Sequence, residues 1–494
     1  MAKVIPPRAQ VVVIGGGIVG ASVAYHLTEL GWTDVVLLER HTLTSGTTWH
    51  AAGLVGRLRA THNMTRLAAY TADLYDRLEN EMGHPTGYRP VGSVSLAGNP
   101  GRMEELVRGA GMARSFGVEV DVVDVAQLVG RWPLMDPTGV LGGVWIPGDA
   151  QASPVETTMA LAAVARERGA TVIEGISVER ILTQNGGAVG VETDQGTIES
   201  EYVVTCAGMW SHELGRQAGV NIPLHACEHF YLVTEPIPDL PSGLPTLRDT
   251  DNCIYVKEDA GRLLVGAFEP VAKPFGAGGP PTDRPFMQLD EDWDHLAPVY
   301  ERACQRVPVL GEIGIRLFFN GPEAFTPDDR YLLGETPDLA NHFVATGFNS
   351  VGIQSAGGAG KVLADWIVKG HPPMDLWDVD IRRMQGFQTN RRYLHDRSVE
   401  ALGLLYAMHW PFRQVETARG VRRSPFHDRL TALGACNGEA GGWERPNWYA
   451  PVGVEPVYEY SYGRQNWFDY SATEHRACRE GVAMFDQSSL AKLL

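Results

Sequence analysis

Long apolar runs are absent from this chain: nowhere do eighteen apolar residues follow one another, so no transmembrane helix is expected. Cysteine is scarce. The six, at positions 206, 227, 253, 304, 436 and 478, include no C-x-x-C pair, which argues against a disulfide scaffold and fits a reducing compartment. No metal site is expected. Positive charge is short as well. Lys and Arg number 42 against 59 Asp and Glu, a net charge of −17, which argues against a nucleic-acid or anionic-membrane partner. A local basic pocket can still sit inside an acidic protein, so charge alone does not name the substrate. The opening "MAKVIPPRAQ" is too short and polar for a signal peptide and carries no Arg/Ser-rich transit helix, so a cytoplasmic protein is expected.

What is present describes an ordinary globular enzyme-sized chain. Its 494 residues exceed the size at which one core stops growing, so two or more domains are expected. Hydrophobic residues make up 44% and charged residues 20%, as globular proteins require. The 56 glycines imply many tight turns and close backbone approaches.

"QVVVIGGGIVGASVAYHLTELGWTDVVLLER" reads as strand, glycine turn, helix and second strand. Val11 to Ile14 form an apolar run suited to a buried parallel strand. Gly15, Gly17 and Gly20 occupy G-x-G-x-x-G positions. The first makes the turn, the second lets backbone approach a pyrophosphate, and the third lets helix pack on strand. The helix then offers its first N–H groups to the phosphate, with Val19, Val23, Ala24 and Leu27 at helical spacing. Glu39 ends the second strand, nineteen residues after Gly20, where a carboxylate can accept both ribose hydroxyls. The unit predicts dinucleotide binding, with FAD and NAD both open.

Just beyond it, "TSGTTWHAAGL" sets a Trp-His pair among small residues. Small residues let something large approach the backbone; the plain alternative is a glycine-rich loop with one half-buried histidine. In flavoproteins of this build the chain turns back beneath the flavin here, which would face His50 to the ring. A neutral imidazole is a competent nucleophile toward the flavin 8α-methyl, and attachment would tune the cofactor.

The segment "SGTTWHAAGL", with "NGPEAFTPDDRYLLGETP", "GFNSVGIQSAGGAGKVLADWI", "DIRRMQGF" and "GWERPNWY" in that order, resembles the sarcosine and dimethylglycine dehydrogenases and their oxidase relatives. The likeness runs over nearly the whole chain. It implies FAD bonded through His50, with Arg40, Thr47 and Thr48 as flanking cofactor contacts. It also implies an α/β fold: a Rossmann-like FAD-binding domain interleaved with an antiparallel-sheet substrate domain, plus a small C-terminal linking domain.

Later segments supply further cofactor candidates. In related flavoproteins the backbone at the Val178 position, within "GATVIEGISVERI", meets adenine; otherwise it is an apolar strand residue. "YVVTCAGMWS" reads as a strand opening into the Ala207-Gly208 turn. "HFVAT" feeds a glycine-rich turn and then a helix expected over Ala359 to Val368. Gly347, Phe348, Asn349, Ser350 and Gly352 are candidates there, since turn N–H groups and a helix N-terminus stabilise negative charge on reduced flavin. Residues 221–320 alternate apolar and polar, as a one-side-wetted antiparallel sheet does. That sheet would roof the flavin. The loop "KPFGAGGPPTDRPF" is either a lid or a plain surface loop.

Oxidising an N-methyl amine removes hydride from the methyl carbon and delivers it to flavin N5. The nitrogen lone pair must be free, so the site needs a group that accepts a proton or holds the neutral amine. His229, in "CEHFYLVT", resembles the family's active-site histidine. Tyr255 is the second candidate. Some relatives carry a Tyr-Tyr pair here, whereas this chain has Ile254 before Tyr255, which brings it nearer the sarcosine branch. For a carboxylate, "GLVGRLRA" supplies Arg57 and Arg59, which an alternating strand would point to one face.

The expected organisation is an FAD-dependent oxidoreductase over 8–372, with cofactor segments at about 8–90, 150–220 and 325–372 and substrate-sheet segments at about 90–150 and 221–324. A linking domain follows over 373–433. Residues 434–494 open a folate-binding domain resembling the glycine-cleavage aminomethyltransferase. Only about sixty residues of it are present and "HRACREGVAMFDQSSLAKLL" ends in a strand-like run, so truncation or completion by another chain is expected and tetrahydrofolate is not expected to bind here. The resemblance implies oxidative N-demethylation of sarcosine, dimethylglycine or a similar N-methyl amino acid, with an electron-transfer flavoprotein as a possible acceptor. Its alternatives are an O₂-using oxidase of the same fold and a non-catalytic regulatory homologue.

Overall fold

The computed structural model describes residues 4–276 and 278–491. Ala277, in the loop 272–286, and the last three residues of the terminal run lie outside them. Two compact units divide at Ala407 and Met408.

The larger unit is mixed α/β and holds two large sheets, besides the short pair Leu54–Val55 with Ala150–Gln151. In the first, strands Leu332–Glu335, His342–Thr346, Gly196–Thr205, Arg8–Ile14, Val35–Glu39 and Thr171–Glu174 lie side by side in that order. The last five of these run parallel. Leu332–Glu335 adds on antiparallel, as does the hairpin Val178–Gln184 and Gly187–Thr193 beside Gly196–Thr205. Val11, Val12 and Val13 are fully buried, as a parallel strand covered on both faces demands.

Helix Ile18–Glu29 follows the first strand and packs against helix Gly352–Lys369. The contact is close because small residues meet. A Cβ on Gly360 would fall 2.3 Å from Ser22 Oγ, and Ser22 Oγ donates to Ala356 O at 2.8 Å. Helix His62–Asn80 presses from another side, with Gly358 against the Leu67 backbone. The glycines of "SAGGAG" are therefore helix-packing residues. The helix begins at Gly352, seven residues before the expected start, because backbone proximity there rewards glycine and outweighs its poor helix propensity.

The second sheet has nine strands. Its path runs Lys273–Phe275, His225–Thr234, Arg262–Ala267, Ile254–Asp259, Thr246–Asp249, Ser93–Ala97, Gly142–Ile146 and Asp121–Val123, with Ile315–Phe325 also on His225–Thr234. Pairing is antiparallel except between Thr246–Asp249 and Ser93–Ala97. One face, with Phe230, Leu232, Ile254 and Val256, packs on helix Trp293–Arg306. The other carries Cys227, Tyr231, Tyr255, Leu264 and Phe325.

The smaller unit holds a hairpin, Ala435–Ala440 with Trp443–Tyr449, around a small core of Cys436, Trp448 and Ala450. Helix Phe468–Glu480 follows. The expected terminal strand does not form: residues 481–491 contain no strand. Among the described residues, no helix is long and apolar enough to cross a membrane.

Candidate active site

A cleft of about 410 Å³ runs along the C-terminal ends of the parallel strands, where open α/β sheets bind ligands. Gly15, Gly17, Glu39, Arg40, Thr47, Thr48, Val178, Ala207, Gly208, Gly347, Phe348, Asn349, Ser350 and Gly352 all line it. Gly15 has φ +110, and a Cβ there would lie 2.4 Å from Cys206 O, so only glycine fits the turn. Gly20 sits beneath: its Cβ would fall 2.0 Å from Gly15 O. Glu39 accepts from Gly16 N at 2.7 Å and from His41 N at 2.8 Å, which fixes its carboxylate at the cleft edge. Arg40 lies over the Trp210 ring at 4.4 Å.

The loop after Phe275 closes over this end. Trp210 Nε1 donates to Pro281 O at 2.8 Å and Phe286 N to Ser45 O at 2.8 Å, while Pro280, Thr282 and Arg284 join the cleft wall.

Beyond the phosphate turn, Thr48–His50 form a single helical turn whose Thr48 Oγ1 accepts from Ile18 N at 3.2 Å. His50 is 5% exposed and stacks on Phe319, centroids 4.8 Å apart. Burial, with His229 adding to it, pushes its imidazole down to about 3, so it is neutral at physiological pH. That is the nucleophilic form.

Phe319 belongs to the second sheet, whose cleft-side face is set by register. Arg248 pairs with Tyr255, Tyr255 with Gly266, Gly266 with Tyr231 and Tyr231 with Phe319. These five form one lateral row. Gly266 has no alternative, since its Cβ would lie 1.9 Å from Tyr255 Cζ. In the next row His229 pairs with Gly321, and in the one after Cys227 pairs with Glu323. A Cβ on Gly321 would approach His50 Cε1 to 3.3 Å. The two histidines therefore flank one glycine. Neither imidazole forms the cleft wall itself; Thr48 and Ala51 beside His50 do, as does Ser350, whose Oγ lies 3.5 Å from His229 Nε2.

His229 is 5% exposed, packs on Phe268 at 4.9 Å, and has no partner for Nδ1 among the described residues. Tyr255 meets the same Phe268 at 5.8 Å. Burial, then Tyr406, Glu323 and Tyr231, hold its phenol well above the usual range. It is a neutral donor, not a base. Ile254 points the other way, into the core under helix Trp293–Arg306.

Arg57 and Arg59 are not brought together. The strand expected there stops at Val55, and Gly56 donates its N–H to Gln354 Oε1 at 3.0 Å instead of to a strand partner. Arg57 is spent on Asp73 Oδ1 (2.7 Å) and Gly148 O (2.8 Å). Arg59 instead faces Arg248, Tyr331 and Asp329; burial and then the Arg248 charge push its guanidinium below the usual value. Among the described residues neither Arg59 nor Arg248 forms an ion pair. Two facing guanidinium groups, with Asp329 and Asp149 nearby but beyond ion-pair distance, suit a bound anion.

The turn before helix Gly352–Lys369 is held in left-handed backbone at Gly347, Asn349 and Ser350, φ +65, +47 and +60. The Asn349 amide is consumed by the turn: Oδ1 accepts from Thr326 N at 2.8 Å and Nδ2 donates to Gly347 O at 2.9 Å. Phe348 stacks on Tyr331 at 4.5 Å. The cleft thus receives the turn's backbone and the start of an 18-residue helix, whose N-terminal dipole favours negative charge.

Arg248, Phe268 and Glu323 were not singled out from sequence. The one local signal was an arginine alternating with apolar residues in "TLRD"; Glu323 lay unmarked inside "NGPEAF". The residues present fit FAD: the glycine cradle has room for a pyrophosphate, Glu39 stands where a ribose would lie, and Glu323, whose Oε2 has no partner, is part of the cleft wall.

Residues 10–366 match the family described as FAD dependent oxidoreductase. Residues 369–424 match its central domain and 426–494 the GCVT N-terminal domain. The chain is 46% identical over 488 residues to 4-methylaminobutanoate oxidase (formaldehyde-forming) of Paenarthrobacter nicotinovorans, covering 99% of this chain and 59% of that protein. Mitochondrial sarcosine dehydrogenase of Homo sapiens is 38% identical over 519 residues, 99% of this chain and 56% of that one. The mitochondrial pyruvate dehydrogenase phosphatase regulatory subunit of Mus musculus is 38% identical over 494 residues, with 99% and 56% covered. The chain spans a little over half the length of these relatives. L-proline dehydrogenase from P. horikoshii shares the fold, with TM-score 0.70, 24% identity, 77% of this chain and 98% of that chain covered. Identity to sarcosine dehydrogenase, 38%, exceeds the 34% to mitochondrial dimethylglycine dehydrogenase of Mus musculus, as expected, and identity to the methylaminobutanoate enzyme, 46%, exceeds both. Family match, fold and cleft agree, and the chain belongs to the FAD dependent oxidoreductases.

Proposed function

We propose that this chain carries out FAD-dependent oxidative N-demethylation of a small N-methyl amino acid, with FAD bonded through His50. The observation that carries the reading is the juxtaposition of His50 and His229 about Gly321, on the sheet whose register also carries Arg248, which Arg59 faces. The names of the sarcosine and methylaminobutanoate relatives support it.

FAD, when bound, supplies the hydride acceptor. Gly15, Gly17, Gly20 and Glu39 would hold its dinucleotide part, and the neutral His50 imidazole would hold the benzenoid rim. Arg59 and Arg248 would fix the substrate carboxylate, which sets how far the amine reaches toward His229. His229 Nδ1, buried and without a protein partner, would take the amine proton and free the lone pair. Tyr255 would donate a hydrogen bond as a neutral phenol. The packed rings of Phe268, Tyr231 and Phe319 keep water off this face. The product iminium would then hydrolyse to formaldehyde and the demethylated amine.

The test is anaerobic mixing of the holoprotein with sarcosine, dimethylglycine and 4-methylaminobutanoate. At least one should bleach the flavin. Bleaching by dithionite but by none of the three would favour the regulatory reading and overturn this one. Re-oxidation of bleached protein by O₂ or by an electron-transfer flavoprotein then identifies the acceptor.

A further inference from the structure

Glu323 is 4% exposed, yet it forms no ion pair among the described residues and its Oε2 has no hydrogen-bond partner. A buried carboxyl without a donor is costly, and native folds rarely leave one so. Its place is fixed from both sides. Strand Ile315–Phe325 pairs Glu323 with Cys227, diagonal to His229 and two residues from Gly321, so it shares their face and lies about 6–7 Å along the strand from the glycine. On the other flank, Asn349 N donates to Ala324 O at 3.2 Å and Thr47 Oγ1 to Pro322 O at 3.4 Å. These bonds tie the Glu323 backbone to the cofactor turn, and its side chain lines the cleft. The arginines answer a substrate's carboxylate, but no other carboxyl on these three rows answers its amine.

We propose that Glu323 is the counter-charge and N–H acceptor for the substrate's ammonium group, and so determines preference for amines over neutral isosteres. This rests on the N-methyl amino acid reading. The substrate enters as a zwitterion, its carboxylate toward Arg59 and Arg248 and its N–H toward Glu323 Oε2. His229 then removes the proton. No bond to Glu323 itself forms or breaks.

The test uses two ligands that the proposed reaction leaves unchanged. Trimethylglycine carries a fixed positive charge and no lone pair; 3,3-dimethylbutanoate, with carbon in place of the nitrogen, is its uncharged isostere. Titrating holoprotein with each and following the flavin spectrum gives two Kd values. Wild type should prefer the cation, and Glu323→Gln should move the ratio toward the uncharged isostere by at least tenfold. Glu323→Asp, which keeps the charge one methylene back, should retain a weakened preference and covers the case in which the Gln variant does not fold. An unchanged ratio in Glu323→Gln overturns the proposal, whether or not the flavin spectrum shifts; a shift with no change in ratio would give the carboxyl to the cofactor. If no N-methyl amino acid bleaches wild type, the underlying function fails instead, which is a separate observation.

Discussion

Gly321→Ala is a small change with a large local consequence. The added Cβ would lie 2.6 Å from Phe319 Cε1, 2.8 Å from its Cζ and 3.3 Å from His50 Cε1. Carbon pairs settle at about 3.5–4.0 Å, so the Phe319 ring must retreat by about 1 Å. It has nowhere to go. Phe319 is 1% exposed, stacked between Tyr231 and His50 with both centroids at 4.8 Å, and edge-on to Trp49 at 5.3 Å. Overpacking of this kind costs about 1–3 kcal/mol, or roughly 1–4 °C in Tm for a unit of this size. The strain falls on the imidazole that would carry the flavin, while the glycine cradle and Glu39 are untouched. FAD should still bind, but the fraction retained in acid-precipitated protein should drop well below that of wild type. Full retention together with an unchanged Tm would refute the claim that these rings are locked.

Gly20→Ala should act at the other end of the cleft: its Cβ meets Gly15 O at 2.0 Å, so the flavin-to-protein absorbance ratio should collapse, and a normal ratio would contradict the turn's role. Arg59→Met and Arg248→Met should each raise KM by about 10–100-fold with little change in kcat, since a charged hydrogen bond contributes about 1.5–3 kcal/mol; equal losses for a carboxylate-free amine would rule out the anion pair. His26 tests pH dependence. Burial pushes its imidazole from 6.5 down to about 3, so the unfolded chain binds the extra proton, and stability is full above the unfolded value and lost as pH falls through it. The loss at pH 5 is about 2 kcal/mol. Because Asp329 and His295, both raised, act with the opposite sign, the readable quantity is the difference between wild type and His26→Asn in urea unfolding at pH 7.5 and 5. Parallel curves would mean that His26 titrates normally.

The cofactor half of the cleft was legible because its grammar is local. Strand, G-x-G-x-x-G, helix and terminal acid follow one another within forty residues, and each has one physical use. The reactive half is assembled sideways, across strands far apart in sequence. Arg248, Tyr255, Gly266, Tyr231 and Phe319 share a row only through register, which composition and periodicity do not report. Gly266 and Gly321 matter by lacking a side chain, so they left no mark. The strand in which Arg57 and Arg59 were expected to alternate stops at Val55, where Gly56 bonds to the Gln354 side chain instead of a strand partner, and the glycines of "SAGGAG" serve helix packing where a turn was expected.

Hydride is proposed to leave the substrate's N-methyl carbon at a face shared by His50 and His229. This is tested most directly by stopped-flow flavin reduction with the best substrate and its N-trideuteromethyl form. Flavin reduction should be slower with the deuterated compound, with the same isotope effect in a slowed His229→Gln variant. Identical rates for the two isotopologues in that slowed variant, or an effect that appears only when the carbon next to the carboxylate is deuterated, would contradict N-demethylation.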